Sequence, residues 1–200
     1  MARKGYDGTS MRNLAQETGR SLGGLYHYFK NKEELIYVIN QRGFSSLLEL
    51  ARTIEQHDLN PEEKLYAFIS NHLRYFAAHL DEMRVMMFGT RHLNAKQEKL
   101  ISQLKNDYGV LGEKIVGSYL KAHSSRKPTK QEVTRETFFL FGMMNWIFSW
   151  YSVDEHGGQD VLIDEIFMTF TKGASHKKSK ELRIKVNKKE SAQEASHGRH

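Results

Sequence analysis

Residues 21 to 32 combine a glycine pair, a histidine, two tyrosines and two lysines, side chains suited to a nucleic-acid groove and its phosphates. Leu22, Leu25, Tyr26 and Phe29 recur at i, i+3, i+4 and i+7, which gives a short helix one apolar face. Gly23, Gly24 and His27 fall away from Leu25 and Phe29 and can face a partner. Each glycine costs a helix about 1 kcal/mol relative to alanine. Close approach to a DNA backbone and groove floor accounts for the pair at Gly23 and Gly24. Tight packing of the helix on its neighbours is the competing explanation.

The flanking residues position this segment. Thr9 and Ser10 offer caps for a preceding helix, since a side-chain oxygen accepts from its free N–H groups. Met11, Leu14, Ala15 and Thr18 then share one face. Gly19 suits a left-handed helix stop, and Ser21 can cap the next helix. Asn31, followed three residues later by Glu34, has the pattern of a capping box that starts a third helix. Helix, three-residue turn and helix make the layout of a helix-turn-helix DNA reader.

The same segment resembles the TetR/AcrR family of bacterial transcriptional regulators. The resemblance rests on Gly5-Tyr6, Thr9-Ser10, Leu14-Ala15, Gly19-Arg20-Ser21, Gly23-Gly24, Leu25-Tyr26, His27-Tyr28-Phe29, Lys30-Asn31-Lys32 and Glu33-Glu34-Leu35. It covers roughly the first forty residues; beyond them it is one of length and helical layout. It implies phosphate contacts for Ser10, Tyr26, Tyr28 and Lys32. It implies that Arg12, Leu22, Gly23 and His27 face base edges. The Arg12 fork matches O6 and N7 of guanine, against the plainer reading of a solvated helix charge. Tyr26 is expected to serve both as core aromatic and as contact.

Two positions depart from the family pattern. Arg20 stands where an apolar residue follows the turn glycine, and its stem is expected to lie along the surface with the charge in water or on phosphate. Only Met1-Ala2-Arg3-Lys4 precede Gly5-Tyr6, where the family has a complete helix. Without that cover, Leu14, Leu25 and Phe29 are expected to lose part of their burial, at about 25 cal/mol per Å2 of apolar area. The alternative reading is then a ligand-binding helical dimer without DNA affinity.

Composition narrows the class. Two prolines in 200 residues and no repeated strand signals point to an all-α chain. The absence of cysteine leaves no disulfide or thiol chemistry, which fits a reducing cytoplasm. Met1 to Thr9 has no apolar run of a signal peptide, and no uninterrupted apolar stretch approaches the roughly 18 residues of a membrane span. The net charge of +6 is unevenly spread. Residues 1–45 carry +3, residues 46–171 carry −3 and residues 172–200 carry +6. The basic balance thus sits in the reader and the tail, and the middle is mildly acidic, as suits a body that does not bind DNA.

The body reads as a series of amphipathic helices. The third helix continues from Asn31 with Leu35, Val38 and Ile39 inward, is loosened at Gly43, and resumes at Phe44, Leu47, Leu48, Ala51 and Ile54. Asn60-Pro61-Glu62-Glu63 is a strong helix start. It leads into a face through Leu65, Phe68, Ile69, His72, Leu73, Phe76 and Leu80. Asp81 is expected to cap a short helix, Gly89-Thr90 to make a bend, and a long helix to run over 95–122. Its apolar positions are Leu100, Ile101, Leu104, Tyr108, Leu111, Ile115 and Leu120. Residues 138–151 are apolar on nearly every side, so they must be covered on every side. That predicts burial against the body on one flank and against a second subunit on the other. A last helix over 160–171 would complete a four-helix homodimer interface.

Between reader and interface, Phe, Met, Tyr and Trp concentrate. The family places an effector pocket here, and the candidates are Phe68, His72, Phe76, Met87, Arg91, Tyr108, Asn145, Trp146 and Trp150. Plain core packing is the competing role for each. Asn145 needs a polar partner, whether ligand, backbone carbonyl or dimer mate. Asn145, Trp146, Trp150 and Tyr151 are spaced as in family members that sense acyl-CoA thioesters. The resemblance implies that Arg91 meets a ligand phosphate or carboxylate.

Enzymatic chemistry has little support. His72 and His79 lie seven apart near Asp81 and His92, without His-Glu-x-x-His, paired-carboxylate or cysteine spacing, so two surface histidines are the simpler reading. No Gly-x-Ser-x-Gly or phosphate loop is present, and neither metal nor cofactor is expected. The sequence therefore predicts a reader over 1–45, an effector-binding and dimerisation body over 46–172 and a basic disordered tail over 173–200. The expected partners are a palindromic double-stranded operator, a small apolar or amphipathic effector and a second copy of the chain, with no membrane.

Overall fold

The computed structural model describes residues 5–88 and 90–172, and every regular element among them is helical. The expected tail over 173–200 and Gly89 of the expected bend lie outside the described residues. Two short helices come first, α1 (Met11–Glu17) and α2 (Leu22–Tyr28). The long α3 (Lys32–Gln56) follows, then α4 (Pro61–Ala78) and α5 (Leu80–Phe88). A 3-10 turn at Thr90–His92 leads to α6 (Ala95–His123). The chain ends with α7 (Lys130–Asn145), a 3-10 stretch at Trp146–Ser149, α8 (Val153–His156) and α9 (Gln159–Lys172).

Local chemistry sets these bounds. Ser10 caps α1, its hydroxyl accepting from Asn13 N, and Asn13 Oδ1 accepts from Ser10 N in return. Thr9 is buried, and its hydroxyl donates to Gly5 O instead of capping. Gly19 holds φ +64°, the left-handed stop between α1 and α2. Ser21 caps α2 by accepting from Gly24 N. Asn31 caps α3 through Glu34 N, but the Glu34 carboxylate accepts from Lys30 N, so the expected box closes one residue early. Asn60 and Glu63 form a full box on α4 behind Pro61. Leu80 opens α5 ahead of Asp81, which lies in the first turn and pairs with Arg84 at 2.8 Å rather than capping.

Two cores result. The small one buries Met11, Ala15 and Leu25, with Leu14, Leu22 and Phe29 packed around them half-covered. Of the three residues expected to lose burial, Leu25 keeps its cover while Leu14 and Phe29 are half-buried. The large core is built where α3, α4 and α6 pack together, closed by α5, α7 and α9.

Packing shifts several expected faces. α4, α5 and α6 lie against α3, and its buried line runs through Ile36, Asn40, Gly43 and Leu47; Leu35, Val38 and Ile39 are half-buried flanks. Gly43 does not loosen α3. A Cβ there would fall against Met86 Sδ, so glycine is what lets α5 approach this closely. Leu100, expected inward on α6, is 46% exposed. The apolar run over 138–151 is not one helix: α7 ends at Asn145 and the chain tightens into 3-10 geometry. That turn buries Ile147 and Phe148 and leaves Trp146 and Trp150 at the surface. α3 passes unbroken through residue 45, so the expected reader and body share one helix.

Candidate nucleic-acid interface and effector cavity

The loop before α1, the start of α1, α2 and the start of α3 enclose an open concavity lined by Ser10, Arg12, Leu22, Tyr26 and Lys32 together with Asp7 and Asn13. Gly23, His27 and Tyr28 lie exposed on α2, with Gly24 half-exposed. Tyr28 is 63% exposed and Tyr26 48%. The Arg20 guanidinium lies 5.8 Å from the Tyr28 ring centroid, which holds a cation beside the exposed phenol.

The two glycines differ. A Cβ at Gly23 would meet nothing within 4 Å, so no internal packing explains its presence. A Cβ at Gly24 would lie 3.0 Å from Ser21 Oγ, so the capping bond accounts for Gly24 in part. The packing explanation therefore fails at Gly23, the position on the exposed side.

Lys32 is engaged within the protein. Its ammonium donates to Tyr6 O at 2.9 Å and lies 3.9 Å from the Tyr6 ring centroid. The Tyr6 hydroxyl donates to the Glu33 carboxylate, and its ring stacks on His92 at 3.7 Å. Burial and the Glu33 contact push the Tyr6 pKa up to about 12, and the same hydrogen bond holds Glu33 below its usual range. Tyr6 is thus the point where the loop before α1, the start of α3 and the 3-10 turn at Thr90–His92 meet.

A second cavity, about 650 Å3, opens in the body. Phe44 and Leu47 of α3, His72 and Phe76 of α4, and Met83 and Met87 of α5 form one side. Lys105 and Tyr108 of α6 and Phe138, Phe141 and Asn145 of α7 form the other. Five of the nine candidates meet here: His72, Phe76, Met87, Tyr108 and Asn145. Phe68 lies behind the wall, its ring 5.4 Å from that of Tyr108. Trp146 and Trp150 do not reach the cavity, because the 3-10 turn aims them outward. Arg91 does not either; it sits in the turn that touches the reader, its Nε 3.3 Å from His92 Nε2.

His72 is not a surface residue, unlike His79; it is 2% exposed, stacked 4.1 Å from Phe76. Its Nδ1 lies 2.8 Å from the Tyr108 hydroxyl. Burial lowers the His72 pKa to about 3, with Asn145 opposing the shift, and burial also raises that of Tyr108. Both groups are uncharged near neutral pH. Lys105, missed in the sequence, lines the cavity with its ammonium 5.2 Å from the Phe44 centroid, and burial lowers its pKa. Its spacing of three from Tyr108 on α6 was the available signal. Among the described residues no group of three or more His, Cys, Asp or Glu is arranged to hold a metal ion. No helix among them is long and apolar enough to cross a membrane.

Comparison with known proteins decides the family. Residues 58–174 match the tetracyclin repressor-like C-terminal domain, and residues 1–39 match the tetR family of bacterial regulatory proteins. The chain belongs to the tetR family. It is similar to the HTH-type transcriptional regulator PksA of Bacillus subtilis (strain 168), 30% identical over 95 residues, 48% of this chain and 46% of that protein. The chain thus spans about half the length of that curated relative. Its fold is similar to that of PfmR, a TetR family transcriptional regulator from Thermus thermophilus. That match has TM-score 0.76 and 24% identity, over 86% of this chain and 93% of that one. It is also similar to AibR, solved in complex with isovaleryl coenzyme A and operator DNA. There the TM-score is 0.70 at 24% identity, over 84% and 90% of the two chains.

Proposed function

We propose that the chain is a DNA-binding transcriptional repressor that a small amphipathic effector, an acyl-CoA thioester, releases from its operator. The observation that carries the DNA half is Gly23: exposed, with open space around it, on a helix that also exposes His27 and Tyr28. Arg12 and His27 read base edges, and Ser10, Tyr26 and Tyr28 hold phosphates. Lys32 acts through Tyr6, and any phosphate contact it makes is shared with that bond.

The effector half rests on the cavity between α3, α4, α6 and α7, apolar along most of its wall with a few polar groups, as small-molecule sites are. The bound state of AibR, a protein of similar fold, supports the thioester class. A homodimer fits the apolar face left by α7 and α9. Phe138, Phe139 and Val161 are each more than half exposed, and Met168 is 40% exposed. A two-fold axis through that face would present two readers to a palindromic operator.

The test is fluorescence anisotropy of the full chain on labelled genomic fragments at fixed salt, with and without decanoyl-CoA. Sequence-dependent binding that decanoyl-CoA reverses is expected. Binding that saturating decanoyl-CoA leaves unchanged would remove the effector assignment.

A further inference from the structure

We propose that His72 is the polar anchor of the effector cavity: its Nε2–H donates to an uncharged ligand carbonyl oxygen, that of an ester or thioester, while the ligand's anionic portion lies beside Lys105. This rests on the effector reading above and adds which atom reads the ligand, and in what charge state.

The direction of the proton follows from the hydrogen bonds. Tyr108 is 5% exposed, and His72 Nδ1 is the partner of its hydroxyl among the described residues. A buried phenol has to place its proton on an acceptor, and Nδ1 is the acceptor at hand. A neutral imidazole that accepts at Nδ1 carries its own proton at Nε2. Nε2 is buried and has no hydrogen-bond partner of ordinary geometry among the described residues. Asn145, on the cavity wall, approaches the ring as its polar neighbour without closing a bond of ordinary geometry, so a ligand carbonyl reaches Nε2 by displacing the Asn145 side chain. The result is a fixed N–H donor in an otherwise aromatic wall of Phe76, Phe141 and Tyr108.

A neutral donor selects a neutral acceptor. No cation stands against the His72 ring among the described residues, and burial keeps the ring itself uncharged. A carboxylate placed there would lose its water without gaining a countercharge, whereas a carbonyl oxygen loses little and gains the bond. The cations of the lining are Lys105 and Lys130. Lys105 has its charged form disfavoured by burial, which an anion beside it would reverse. Glu113, the acid of the lining, already accepts from the Thr134 hydroxyl at 2.7 Å. The site therefore separates an uncharged acceptor at His72 from an anion at Lys105, the arrangement of an acyl ester or thioester with a charged head.

The experiment compares decanoyl-CoA with S-decyl-CoA, the thioether that keeps the anionic head and lacks the carbonyl, on the full chain by calorimetry, for the wild type, His72→Phe and His72→Gln. The thioester is expected to bind at least about ten-fold tighter than the thioether. His72→Phe should erase that preference, and His72→Gln, which keeps an N–H donor, should recover part of it. In the wild type the Nε2 proton resonance of His72 should move downfield when the thioester binds, a reading that needs no variant. Equal or tighter binding of the thioether, a preference that survives in folded His72→Phe, or an unmoved Nε2 proton would each overturn the anchor. Failure of both probes to bind would do the same. DNA affinity measured on the same protein without ligand reports separately on the regulator reading. Thioester selectivity without DNA binding leaves the anchor standing and removes that reading.

Discussion

Tyr6 and His92 stack face to face, ring centroids 3.7 Å apart and planes 12° from parallel. One ring precedes α1, and the other lies in the turn that follows α5. Met83 and Met87 of α5 line the cavity, so a ligand that moves α5 also moves the turn that holds the reader. α3 adds a second route, carrying Phe44 and Leu47 in the cavity wall and Lys32 and Glu33 at Tyr6. Coupling needs an element that both sites bias, and these two are shared. His92→Ala is therefore expected to leave effector and DNA affinities within about three-fold while cutting the effector's influence on DNA affinity at least about five-fold. Anisotropy titrations with and without decanoyl-CoA measure this, and an unchanged effector response would exclude the stack as a route.

Gly43 gives a stability test at the same helix. A methyl group there meets Met86, which is 1% exposed, so the thioether has to move within a filled core. Replacing a helical glycine gains about 0.5–1 kcal/mol in backbone entropy, and overpacking costs about 1–3 kcal/mol. Gly43→Ala should thus destabilise by about 1 kcal/mol net. Gly43→Ala combined with Met86→Ala should fall short of the sum of the two single losses, because the second change makes the room the first requires. Urea unfolding of the four proteins decides it; strict additivity would contradict the contact.

His72 sets a pH dependence whose sign is fixed. Its folded pKa is about 3, below the ordinary value of 6.5 that the unfolded chain regains. Between those values the unfolded state binds the extra proton, so stability rises with pH and is lost as pH falls from about 6.5 toward 3. The slope reaches at most about 1.4 kcal/mol per pH unit. Removing the imidazole in His72→Phe should flatten the acid limb of Tm against pH. An acid limb as steep as the wild type's would contradict a buried neutral His72.

The reader was largely legible from spacing. Ser10, Ser21 and Asn31 cap where hydroxyl or amide chemistry requires, and Gly19 takes its positive φ. These are local interactions, and sequence order encodes them directly. His72 and Phe76 were legible for a related reason, since an i, i+4 pair on α4 shares a face whatever surrounds it. Trp146 and Trp150 were not. A run apolar on every side has no periodicity to show where the helix stops, and the switch to 3-10 geometry after Asn145 turns both rings outward. Arg91 was misplaced because its position depends on how α5 packs against α3, a long-range contact made possible by Gly43 and Met86. Lys105 was overlooked because a cation on an amphipathic helix reads as solvated until the opposite wall is known.

Base and phosphate contacts separate by their sequence dependence. Arg12→Ala should cost about 1–3 kcal/mol on the preferred site and relax the preference at one base pair per half-site. Tyr28→Ala should weaken specific and nonspecific duplexes alike, because phosphate contacts carry no sequence information. Competition binding against single-base variants of the site separates them. A uniform loss for Arg12→Ala would assign that side chain to phosphate.

The central claim is that α2 presents a sequence-reading face in a two-fold assembly. Selection from a pool of randomised duplexes by the full chain, at stated salt, tests it whatever the operator's sequence. The account predicts enrichment of an inverted repeat with half-sites about one helical turn or more apart. It also predicts that Arg12→Ala loses base preference at matching positions of both half-sites. A pool that stays random, or a single unpaired half-site, would contradict it.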